Sequence, residues 1–204
     1  MIYYSHRESD KDLAWKRYYP IEIEGDETTT NNIHPMLTKD EKHLIFASDK
    51  TGGLGGYDLW IGDIVEDTRL TNIKNLGTYI NTPGDELYPS TFNEEVLFFA
   101  SDGHYGFGGL DLYAGVKSGI KYKKTFNLGN RFNSSYDDYS LFYNQKKNIG
   151  FFTSNRYLSM NDSQAMDRIY TQTFDRANTK IDVIDQYNRG VAGAAIELPS
   201  EKIN

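Results

Sequence analysis

The chain contains no cysteine in its 204 residues. Disulfides, thiolate metal sites and thiol catalysis are thereby excluded, as is a lipid-anchored cysteine within this stretch. No run of about 18 apolar residues occurs, so nothing reads as a membrane-spanning helix. The N-terminal segment, Met1 to Arg7, lacks a charged stretch followed by an apolar core and does not read as a signal peptide. Any export signal is expected outside this sequence. Positive charge is in deficit, with 22 Lys and Arg against 29 Asp and Glu and a formal charge of −7. That balance argues against nucleic acid, whose phosphates need a basic surface. Helical periodicity is nowhere sustained over the roughly 11 residues that a helix assignment needs. The four histidines, His6, His34, His43 and His104, show neither i, i+4 nor H-x-H spacing, so no zinc site is expected.

The residues in excess are aromatic and small. Aromatics make up 14%, with 16 Tyr and 11 Phe, and there are 18 Gly. That mixture suits short strands and tight turns. The strongest signal is a repeat. Leu44-Ile45-Phe46-Ala47-Ser48-Asp49, then Gly52-Gly53-Leu54-Gly55-Gly56-Tyr57-Asp58-Leu59-Trp60, returns as Leu97-Phe98-Phe99-Ala100-Ser101-Asp102 and Gly106-Phe107-Gly108-Gly109-Leu110-Asp111-Leu112-Tyr113. A looser third copy runs Gly150-Phe151-Phe152-Thr153-Ser154-Asn155-Arg156, then Asp167-Arg168-Ile169-Tyr170. The serines lie 53 residues apart in both intervals. Asp58 and Asp111 are also 53 apart, and Asp111 and Asp167 are 56 apart. A fixed period of this size marks a repeat architecture.

Each copy reads as about four short strands. In the second they are expected near 87–92, 96–101, 110–116 and 122–126. Asn75-Leu76-Gly77 opens the second copy and Asn127-Leu128-Gly129 the third. Pro83-Gly84 is a turn signal that the third copy replaces with Ser135-Tyr136, so that turn is expected to differ. Residues 1–20 read as the end of a degenerate repeat, with Ser5 matching Ser154 and Asp12-Leu13 taking the place of Asp58-Leu59. Glu24 to Asn32 is polar and reads as loop. The predicted fold is all-β: three full four-stranded repeats and a partial one, as blades of a β-propeller. Residues 1–174 form this partial propeller. Residues 175–204 form a connector and then a strand-turn-strand pattern at 181–198, either a last blade strand with a tail or the start of another β domain.

These residues carry a resemblance. The pattern from Leu44 to Trp60, with Asn75-Leu76-Gly77-Thr78-Tyr79-Ile80-Asn81-Thr82-Pro83-Gly84-Asp85-Glu86, resembles the WD-repeat-like, TolB-type propeller repeat in envelope proteins of the Bacteroidota. It covers about residues 1–173. Proteins of that kind join a propeller to a carboxypeptidase-regulatory-like domain and a peptidoglycan-binding, outer-membrane-protein-A-like domain. Some serve type IX secretion or gliding. The resemblance implies a non-catalytic scaffold in the periplasm, associated with the outer membrane, whose partners are other envelope or secretion-machinery proteins. Peptidoglycan would be reached only through domains beyond this stretch. Closed propellers have about 4–8 blades, so three repeats and a remnant imply a piece of a larger one.

Repetition also decides how the motifs are read. The Gly-Gly-x-Gly-Gly loop leads into a strand, not the helix N-terminus that nucleotide fingerprints need. Its glycines are expected to serve a hairpin. The recurring Asp58, Asp111 and Asp167 are expected to lock each hairpin by accepting loop N–H groups and a serine hydroxyl such as that of Ser48 or Ser101. Calcium on Asp49, Asp58 and loop carbonyls is the alternative, weakened by Asn155 and the missing glycines of the third copy. No unrepeated carboxylate pair suggests glycoside hydrolysis, although a glycan-binding propeller remains a second class. No catalytic residue, metal or cofactor is assigned. Partner contacts are sought where the copies disagree: His104, Tyr105 and Phe107 in the second loop, and Asn155 and Arg156 in the third.

Overall fold

The computed structural model describes residues 1–157 and 166–174. Among these residues there is no helix. Fourteen strands form four sheets. The expected strand-turn-strand at 181–198 and most of the loop after Arg156 lie outside the described residues.

Two sheets repeat one meander. In the first, β4 (Asn32–Leu37), β5 (His43–Ser48), β6 (Asp58–Glu66) and β7 (Arg69–Asn75) pair antiparallel in chain order. In the second, β8 (Glu86–Thr91), β9 (Val96–Ser101), β10 (Asp111–Ser118) and β11 (Lys121–Asn127) do the same. The third holds β12 (Asp138–Asn144), β13 (Ile149–Ser154) and β14 (Arg168–Thr173). The second copy's four strands fall where the sequence placed them. The registers superpose the copies: Ser48 faces Asp58 and Ser101 faces Asp111. Ser154, however, faces Arg168. Asp167 is therefore not the third copy of Asp58 and Asp111. It lies one residue early and is exposed, because the loop from Ser154 is longer than its two predecessors.

The middle strands explain why β5 and β9 read as unbroken apolar runs. Each sheet buries both faces, so alternation disappears. From β5, Ile45 and Ala47 pack with Leu97 and Phe99 of β9, together with Leu59, Ile80 and Tyr113. Leu44 and Phe46, on the other face, pack with Trp60, Leu70, Ile2 and Ile23. From β9, Phe98 and Ala100 turn towards Phe132, Leu141, Phe152 and Phe174. Three cores thus alternate with the sheets.

The N-terminal segment departs from its expected layout. β1 (Tyr3–Tyr4) pairs with β2 (Tyr19–Pro20), not with Asp12-Leu13. Leu13 is 98% exposed, and Asp12 accepts the Ser9 N–H in a surface turn. Leu13 lacks any neighbouring apolar surface, so it cannot do what Leu59 does. β3 (Glu22–Ile23) then runs parallel to β7 and covers its outer edge. This addition is not legible in the polar sequence around it.

Candidate functional site

The repeated loops are junctions between sheets. After β5 the chain packs onto the turn that opens the second sheet. Gly56 N–H donates to Gly84 O at 3.0 Å, Tyr57 N–H to Asp85 Oδ1 at 2.7 Å, and Glu86 N–H to Tyr57 O at 2.6 Å. The second junction repeats this, with Leu110 N–H on Asp137 Oδ1 at 2.9 Å and Asp138 N–H on Leu110 O at 2.6 Å. A Cβ on Gly55 would stand within 2.5 Å of backbone atoms of Thr82, Pro83 and Gly84, and one on Gly108 would crowd the backbone of Ser134 and Tyr136 in the same way. The glycines are there for close approach of two backbones. Ser135-Tyr136 does not change this turn in kind. Ser134 N–H and Oγ both donate to Asp138 Oδ2, as Thr82 donates through N–H and Oγ1 to Glu86.

The Asn-Leu-Gly segments supply a second clasp. Asn81 accepts Leu59 N–H at 2.8 Å and donates to Leu59 O at 2.9 Å, and Asn133 holds Leu112 at the same two distances. Asn75 and Asn127 orient them, each accepting an N–H from Gly77 or Gly129. Both glycines have positive φ.

Within each loop the aspartate does act as a lock. Asp58 Oδ2 accepts Leu54 N–H at 2.5 Å and Asn75 Nδ2 at 2.8 Å. Asp111 Oδ2 accepts the N–H groups of Phe107 and Gly108. The serines do not reach these aspartates. Ser48 Oγ accepts the N–H of Lys50, and Ser101 Oγ donates to Glu86 Oε1 at 2.7 Å. Asp58 Oδ1 and Asp111 Oδ1 are buried without a partner. Burial pushes the Asp111 carboxyl up to about 6, against the pull of the Phe107 and Gly108 N–H groups; the nearby Asp138 and Asp137 charges push the same way. Burial also raises the Glu86 value. Both folded values exceed the unfolded ones. The Asp111 contribution is therefore greatest below pH about 4 and is lost as pH rises through about 6, and Glu86 acts in the same direction. The gain in melting temperature from pH 7.5 to pH 5.5 is expected to be larger for the wild-type chain than for Asp111→Asn, measured by scanning calorimetry.

The five residues singled out as partner contacts divide sharply. His104 turns inward. Its Nε2 lies 2.8 Å from Ile80 O, and its ring packs on Phe99 and Tyr113. Burial lowers its pKa. Arg156 is its counterpart in the third copy, donating to Phe132 O and to the buried Asp138. In the first copy Lys50 reaches Gly25 O and, at 3.2 Å, Asp26. Three different cations or rings thus cap the carbonyl of three connectors. Their spacing from the serines varies, which hid the series from sequence reading. Asn155 is also engaged, receiving Asp137 N–H on Oδ1 and donating to Asp137 Oδ2 at 2.8 Å. Tyr105 and Phe107 face outward, 71% and 38% exposed.

The copies converge and differ elsewhere, on their first strands. β4 and β12 both pack against β8. His34, Tyr88 and Ser140 hold one position in the three copies, each at a register shift, and each has φ near +50°. Side chains other than glycine or asparagine rarely adopt that conformation, and clusters of it favour functional surfaces. His34 stacks on Tyr88 at 3.8 Å, and Tyr88 on Tyr139 at 4.8 Å. Tyr88 N–H donates to His34 Nδ1. A groove of about 250 Å³ runs alongside, lined by Pro35, Pro89, Ser90, Leu141 and Phe142 as well as by the three strained residues. Among the described residues its lining holds no Asp, Glu, Lys or Arg, although the Asp167 carboxylate acts on the neighbouring Tyr88 and Tyr139. Phe142 is 62% exposed.

No protein-family model matches this chain, and neither does any curated protein.

A larger cavity, about 530 Å³, lies by the N-terminal segment among Glu22, Glu24, Asp26 and Glu27. Its carboxylates are partly committed: Asp26 to Lys50 and Asn32, and Glu24 to Asn72 N–H. It repeats nothing and offers no convergent acids; among the described residues no group of three His, Asp or Glu side chains is placed to hold a metal.

Proposed function

We propose that this chain is a non-catalytic, protein-binding part of a β-propeller whose partner surface is the first-strand face. The observation that carries this reading is the groove along His34, Tyr88 and Ser140. It is partly apolar and built where the first strands of the three repeats meet while their side chains differ. The repeated carboxylates are already committed to the fold. Asp58, Glu86, Asp111 and Asp138 are buried and bonded to backbone, hydroxyl or guanidinium groups, each in a repeated role. The central ring of the ladder, Tyr88, has both faces covered by His34 and Tyr139 and is closed to sugar stacking. The meander sheets with alternating cores support propeller blades, and the repeat's resemblance to Bacteroidota envelope propellers supports a partner in the envelope or secretion machinery.

A photo-activated cross-linking residue at position 142 tests this in the native envelope. It is expected to trap one specific protein there. The same group at Ile120, an exposed residue in the turn after β10, is expected to trap none. Equal labelling at both sites, or none at 142, would remove the groove from consideration.

A further inference from the structure

Charge is unevenly spread along this acidic chain. Residues 112–136 contain five Lys or Arg and no Asp or Glu, whereas the remainder carries 17 Lys and Arg against all 29 Asp and Glu. Four of the five are Lys117, Lys121, Lys123 and Lys124, in the hairpin of β10 and β11. Ser118 faces Lys121 across a two-residue turn, Gly119-Ile120. Gly119 has a φ of 68°, which suits a tight hairpin turn. Ile120 is left at the tip, 93% exposed. The matching turn of the first sheet, between Glu66 and Arg69, is Asp67-Thr68 and carries acid instead. The repeat itself therefore does not require a basic hairpin.

Among the described residues none of the four lysines is ion-paired. Lys117 lies over the Tyr122 ring at 5.3 Å and Lys123 over the ring of the exposed Tyr79 at 5.9 Å. Glu95, in the turn between β8 and β9, meets the hairpin through its carbonyl, which accepts the Lys117 N–H at 2.8 Å. Lysine on an outer strand also deters strand addition. That role covers Lys121, Lys123 and Lys124 on β11, the sheet's edge. It covers neither Lys117, which stands on β10 inside the sheet, nor an isoleucine held out at the tip.

We propose that the β10–β11 hairpin rests on an anionic lipid surface, with Ile120 entering the boundary between headgroups and acyl chains and the four lysines pairing with headgroup phosphates. Apolar burial and attraction of cations to anionic lipid act together at such a surface. A fluid bilayer needs no shaped pocket to receive one protruding side chain, whereas an acidic protein would. The hairpin occupies the β11 edge of the second sheet and the partner-binding groove the β8 edge. The two surfaces therefore stand or fall separately.

Co-sedimentation of the full chain with vesicles tests this. Binding is expected to vesicles of equimolar phosphatidylglycerol and phosphatidylcholine, not to phosphatidylcholine alone, and is expected to weaken with salt as exposed charges are screened. Lys121→Ala is expected to weaken it about fivefold, and Lys121→Ala with Lys124→Ala about twentyfold. Ile120→Asn should weaken it at every salt concentration. These side chains are exposed, so the variants keep the fold. The absence of native cysteine allows a second readout. An environment-sensitive dye on Ile120→Cys is expected to shift to the blue with the mixed vesicles, and the same dye on Val65→Cys, in the first sheet's hairpin, is not. No binding to the mixed vesicles, equal binding to both kinds, or an unshifted dye at 120 would overturn the proposal. Binding to heparin with no response to vesicles would assign the lysines to a soluble acidic polymer and would also overturn it.

Discussion

Replacing Asn81 with alanine is expected to destabilise the chain by about 3 kcal/mol, since it strips partners from two buried backbone groups that each cost roughly 1–3 kcal/mol when orphaned. The groups are Leu59 N–H and O, and Leu59 itself is fully buried. Asn81 also donates to Asn75 Oδ1, which holds Gly77 in its turn. The loss should therefore spread along the connector, and the first and second sheets should separate before the second and third. Urea unfolding followed by Trp60 fluorescence checks the magnitude, and exchange at β6 against β12 checks the direction. Asn81→Asp is the sharper variant: it keeps the acceptor for Leu59 N–H and removes the donor to Leu59 O. A cost below about 1 kcal/mol for Asn81→Ala would mean that the clasp is ornamental.

Arg156→Met is expected to cost about 3 kcal/mol, near the lower end for breaking a buried ion pair because the arginine keeps some contact with water. The guanidinium donates to Asp138 and Phe132 O and lies over the rings of Phe152 and Tyr170, at 5.4 and 5.0 Å. Methionine keeps much of the packing and loses the charge. Asp138, fully buried, would then be left with Ser134 alone among its side-chain partners. The double variant Arg156→Met, Asp138→Asn should recover most of the loss, because no naked charge remains. Thermal unfolding of the three variants decides it. Lack of recovery in the double variant would show that the ring contacts, and not the ion pair, hold this junction.

The copies, the strand positions of the second repeat and the locks at Asp58 and Asp111 were legible, because period and apolar runs are local signals; Asp167 was not, because the longer third loop breaks the period. The first-strand groove was not. Nothing in Ile33-His34-Pro35 or Tyr139-Ser140-Leu141 announces a positive φ, and the stacking of His34, Tyr88 and Tyr139 joins residues about fifty positions apart. His104 misled for a related reason. It stands out within its loop only until Lys50 and Arg156 are seen to cap the equivalent connectors. The N-terminal layout failed on a single hydrophobic residue: Leu13 matches Leu59 in type, but no neighbouring sheet buries it. Burial is a property of the assembled repeats, and a lone dipeptide carries none of it.

The three strained positions on the first strands have a consequence for how such a surface can diversify. His34, Tyr88 and Ser140 take no part in the loop clasps that join one sheet to the next. Each sits where its strand's register shifts, so the same backbone shape already carries three different side chains. Substitutions confined to 34, 88 and 140 would alter the surface of the groove while leaving the clasps intact. A lineage of such chains could vary that surface without first having to relearn how to fold.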